Sequence, residues 1–62
     1  MEYTVVYSMG DTFDQAINLL INEVNKKCSE GWIPQGGVSF SEDKYGYKPF
    51  YIYKMCQAMI KQ

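Results

Sequence analysis

The chain has 62 residues, with seven acidic and six basic side chains, two cysteines, six tyrosines and no histidine, for a net charge of −1. This composition excludes an imidazole base, a Ser-His or Cys-His nucleophile pair and a His-built metal site, and two cysteines fall short of the usual ligand set of a structural zinc. Near-neutral charge argues against nucleic-acid binding through a phosphate-neutralising patch, so a non-enzymatic protein without cofactor or metal is expected.

At this length one small domain covering residues 1–62 is expected, burying about 60% of the surface its unfolded chain exposes. No apolar run reaches the roughly 20 residues of a membrane span, and Met1–Val6 lacks the basic and apolar regions of a signal peptide. A cytoplasmic protein with reduced thiols is therefore expected, with a Cys28–Cys56 disulfide reserved for a secreted setting.

Glu2–Ser8 is rich in β-branched and aromatic residues and predicts a first strand, with Tyr3, Val5 and Tyr7 on one face and Thr4 and Val6 on the other. Met9-Gly10-Asp11 predicts a turn. Thr12 then reads as a helix N-cap: Gln15, three residues on, is placed to close a capping box by reaching back to the cap amide. From Phe13 the apolar positions Ala16, Ile17, Leu20, Val24 and Cys28 recur at gaps of three and four, with Ile21 beside them and Leu19 off the stripe. Lys26 and Lys27 suit the helix's negative end, and Gly31 suits a left-handed C-terminal stop.

Trp32–Ser41 predicts a second strand. Pro34 has no amide to donate and so belongs on a sheet edge, while Gly36-Gly37 suggests a bulge or, alternatively, an anion-binding nest. Glu42–Pro49 reads as a hairpin loop, and Phe50–Ile60 as a long third strand. One face of that strand carries Phe50, Ile52, Lys54, Cys56, Ala58 and Ile60, and the other Tyr51, Tyr53, Met55, Gln57 and Met59. Both faces are largely apolar, although one helix covers only one face of a sheet. The fold class is α+β: β-α-β-β, a three-stranded antiparallel sheet with the long third strand central and one amphipathic helix packed on one face.

Four segments, taken in order, resemble a small family of bacteria and phages catalogued as domain of unknown function 1737. They are Tyr3-Thr4-Val5-Val6, the amphipathic helix, Glu30-Gly31-Trp32-Ile33-Pro34-Gln35-Gly36-Gly37-Val38, and Gln57-Ala58-Met59-Ile60-Lys61. The Tyr-rich stretch 45–53 is longer than that pattern. The resemblance implies this fold and a cytosolic setting, and it implies no chemistry.

Functionally, the uncovered face predicts self-association, as a homodimer or higher homo-oligomer. Tyr51, Tyr53, Met55 and Met59, with Tyr3 and Tyr7, are the expected interface. Tyr53→Glu and Met55→Glu are accordingly expected to dissociate it. Pro34, Gln35, Gly36, Gly37, Tyr45 and Tyr47 form a candidate ligand or partner loop. Trp32 is expected to close the core, and Cys28 and Cys56 to touch across it. By analogy with small phage proteins, the expected partner is a host defence protein. The alternative is an oligomeric sponge that holds a nucleotide-like signal between subunits, using the glycine amides, tyrosines and Lys44 or Lys48.

Overall fold

Strand β1 (Glu2–Gly10), helix α1 (Phe13–Ser29), strand β2 (Ile33–Tyr45) and strand β3 (Phe50–Lys61) follow in chain order. The structure is a computed structural model that describes residues 1–45 and 50–62. The sheet order is β1-β3-β2. β3 is antiparallel to both neighbours, so the longest apolar segment is central and the proline strand lies at an edge.

The helix starts and stops where its terminal groups find partners. The Gln15 amide donates to Thr12 Oγ1 at 3.1 Å. The reciprocal bond differs from the predicted box: Gln15 Oε1 accepts from the amide of Asp11 at 2.8 Å, one residue before the cap. At the other end Gly31, at φ 97°, takes the left-handed conformation that side chains resist. Its amide then donates to Cys28 O and that of Trp32 to Lys27 O, both at 3.1 Å, which is a Schellman termination. The turn delivers the Trp32 ring between two cations, Lys27 Nζ at 5.8 Å and Lys61 Nζ at 5.6 Å from its centroid. Trp32 packs half-buried against the core, as predicted.

The core lies between α1 and the β1–β3 pair. Val6, Ala16, Leu20, Met55 and Met59 are buried in it, with Ile17, Val24, Trp32 and Tyr53 packed around them. Small residues on β1 let the helix approach closely. Ser8 Oγ donates to Ala16 O at 2.7 Å, and a Cβ on Gly10 would stand 2.7 Å from the Ala16 amide nitrogen, so nothing larger than glycine fits beneath the helix start. Phe13, Phe40 and Tyr53 continue the cluster at this end, with centroids 5.6 and 6.2 Å apart in sequence.

Three strand boundaries move from the sequence expectation. β1 runs on through Met9 and Gly10 rather than turning there. β2 begins at Ile33. Its second half includes Glu42–Tyr45, which pair with Tyr53, Ile52, Tyr51 and Phe50 instead of forming loop. Because β1 stops opposite Tyr53, the sheet narrows beyond it to a two-stranded ribbon, and the molecule is long, 45 × 16 × 15 Å.

Gly36 and Gly37 do form an irregularity. Gln35 pairs with Ala58 and Ser39 with Cys56, so β2 spends three residues where β3 spends one. Gly36 takes φ 75° there. The buried Gln57 fills the gap from beneath, its Nε2 lying 3.2 Å from Gln35 O, 3.1 Å from Gly36 O and 3.0 Å from Ala58 O.

Candidate functional site

Strand alternation and the two registers divide the side chains between a covered and an open face. β1 pairs its even-numbered residues with odd-numbered ones of β3: Val6 faces Gln57 and Ser8 faces Met55, beneath the helix. Tyr3, Val5, Tyr7 and Met9 consequently share the opposite face with Ile60, Ala58, Cys56 and Lys54. β2 adds Ile33 opposite Ile60, then Ser39, Ser41 and Asp43 beyond the bulge.

This open face is apolar and wet. Tyr3 is 66% exposed, Tyr7 69%, Met9 53% and Ile33 53%. Its strand residues include two charges, Lys54 and Asp43, and these pair with each other at 3.1 Å. Both side chains are about half exposed, so the pair adds little stability. Its consequence is that the face is electrically neutral.

The face also has relief. Ser39 and Ser41 are small, whereas Tyr7 and Met9 on β1 are large, so a trough of about 350 Å³ runs between the edge strands over Lys54 and Cys56. Tyr7 stands up along its rim.

The expected interface residues divide between the two faces. Tyr3 and Tyr7 lie on the open face, as read. Met55 (3% exposed) and Met59 (0%) do not: they are core residues under α1, and Tyr53 packs against them. Tyr51 is exposed on the helix side of the ribbon. The Tyr/Met face of β3 is thus the covered face, and its Ile52/Cys56/Ala58/Ile60 face is the open one. Tyr53→Glu and Met55→Glu would disturb the core before any interface.

Met9 and Ile33 join Tyr3, Val5 and Tyr7 on this face, Met9 because β1 continues where the sequence predicts a turn. The available signal is at the end of β1, where the large Tyr7 and Met9 alternate with the small Ser8 and Gly10.

Pro34, Gln35, Gly36 and Gly37 lie together at the β2 edge around the bulge. Tyr45 pairs through its backbone with Phe50 at the ribbon end, and Tyr47 lies outside the described residues. Cys28 is exposed on the helix, and Cys56 lies on the open face. The sheet separates them, so the expected contact across the core does not exist.

Among the described residues no three His, Cys, Asp or Glu side chains gather as metal ligands. Among the described residues no helix is long and apolar enough to cross a membrane. Compared with family models, curated proteins and solved structures, the chain matches none.

Proposed function

We propose that the protein is a non-enzymatic binding module that works self-associated, two copies stacking the open faces of their sheets about 10 Å apart. The observation that carries this reading is the neutral, apolar open face. Tyr3, Val5, Tyr7, Met9 and Ile33 are all exposed on it together, and a contiguous apolar patch of that kind on a small chain marks an association surface. The face is also self-complementary in kind. An isologous interface needs a projection and a hollow on the same surface, and Tyr7 beside the trough over Lys54 and Cys56 supplies both. With its one ion pair internally satisfied, stacking brings no like charges together. The module's setting in this reading is the cytoplasm. Its further partner is another protein, such as a host defence protein regulated by a phage product.

Light scattering and alkylation test the stacking together. The chain is expected at a mass of at least twice 7.2 kDa, with Cys28 modified rapidly by iodoacetamide and Cys56 slowly. Tyr7→Lys, at a site exposed enough to spare the fold, is expected to halve that mass and raise the Cys56 rate several-fold. A wild-type mass of 7.2 kDa would overturn the reading.

The trough supports one second reading, a site for a small nucleotide-like ligand beside Lys54. Under the stacking reading, cyclic nucleotides and ADP-ribose derivatives leave the melting temperature unchanged. A stabilisation by one of them that Ser39→Leu abolishes, by filling the trough, would favour the sponge.

A further inference from the structure

β1 and β2 are the two edges of the sheet, and they differ in what they offer a further strand. β2 carries Pro34, a bulge between Gln35 and Ser39, and the charged run Glu42-Asp43-Lys44. Proline, bulges and edge charges are the devices that stop another strand from adding. β1 carries neither proline nor bulge. Its register with β3 is unbroken over all nine residues, and Glu2 is its one charged side chain.

A second observation comes from the helix. Ile21 turns toward β2, where it lines a cavity with Pro34 and Val38. Leu19, two residues earlier, lies about 160° away around the helix. The Ser8–Ala16 bond and the close approach at Gly10 seat α1 over β1, so Leu19 lies on the flank above the free edge. It is 43% exposed and belongs to no core.

We propose that β1 pairs antiparallel with β1 of a second copy of this chain, making one continuous six-stranded sheet. The dyad stands perpendicular to the sheet, so both helices stay on one side and both open faces on the other. A helix seated over the β1–β3 seam then lies about 10 Å from its mate, two strand spacings away, which is a helix-packing distance. With the dyad passing beside Leu19, that residue meets its own copy, apolar against apolar, and Glu23 of each helix faces the uncharged Gln15 of the other. The pairing closes on itself because the outer edges of the six-stranded sheet are the two protected β2 strands. Two such sheets stacked by their open faces form a tetramer with three perpendicular dyads.

Residue-resolved amide exchange with light scattering tests the edge pairing separately from the stacking. In the Tyr7→Lys chain, at high micromolar concentration, a mass twice 7.2 kDa is expected. Alternate β1 amides, those pointing away from β3, should be protected at least tenfold over the outward amides of β2. Leu19→Lys keeps an exposed helical site helical. Added to Tyr7→Lys, it should give monomers in which those β1 amides lose protection while β3 keeps its own. Outward β1 amides that exchange as fast as those of β2 would overturn the proposal, whatever the mass. So would assembly that continues without limit, or a Leu19→Lys chain whose mass and β1 protection are unchanged. If Tyr7→Lys leaves the wild-type mass intact, the stacking fails, and the β1 amides still decide the edge.

Discussion

Met59→Glu is expected to leave the chain unfolded at 25 °C, with the far-ultraviolet circular dichroism of the sheet and helix lost. Met59 is wholly buried, on the central strand between Thr4 and Pro34 and in the same core as Leu20. A carboxylate there has no cation to meet, and ionised or protonated it costs several kcal/mol. A core of this size rarely supplies more than about 3–5 kcal/mol in total, so one such change exhausts it. The contrasting variant is Tyr3→Glu. Tyr3 is 66% exposed on the open face of the neighbouring strand, and a charge there should leave the spectrum native, with any effect confined to assembly. A cooperative, near-wild-type melt for Met59→Glu would mean that the helix does not cover this face of β3.

The contrast between those two positions marks the limit of what the sequence discloses. Element order was legible because each boundary has a local cause: Thr12 with Gln15 at one end of the helix, Gly31 at the other. The central place of β3 and the edge place of Pro34 were legible for the same kind of reason, since a proline has no amide to give an inner ladder. The irregularity at Gly36-Gly37 was legible too. Which face of β3 the helix covers was not. Both faces are apolar, and a one-residue slip in register exchanges them completely. What settles the register is non-local: Ser8 and Gly10 must lie beneath Ala16, because only small groups fit there, and antiparallel pairing then places Met55 and Met59 on the same side. Tyr3 and Tyr7 do lie on the open face, but their neighbours on β3 are Ile60 and Cys56 rather than its tyrosines and methionines. The charged residues Glu42–Lys44 read as loop because composition outweighed pairing. In the fold, Asp43 meets Lys54 across the strands, and the ladder continues.

Gln57→Leu is expected to destabilise the fold by about 1–3 kcal/mol, the range for buried groups that lose a hydrogen-bond partner, with little change in the slope of urea unfolding. Gln57 is a polar side chain, 5% exposed, at the edge of an apolar core. Leucine has a similar volume, so the loss isolates the amide rather than a cavity. That amide lies within 3.2 Å of three carbonyls, and two of them, Gln35 O and Gly36 O, belong to the bulge. The bulged residues have no ladder partners on β3, so Gln57 stands in for the missing strand hydrogen bonds. Gly36 contributes to the same feature differently, by holding φ 75°, and alanine there should cost about 1 kcal/mol. The two contributions are one structural unit. Once Gln57 no longer holds the bulge, the strand is free to relax from the left-handed turn, and Gly36→Ala should then cost less. A double-mutant cycle is therefore expected to show coupling of at least about 0.5 kcal/mol, the threshold above which contacting residues are distinguished from independent ones. Strict additivity would show that the bulge is fixed by the glycine alone, with Gln57 merely buried beneath it.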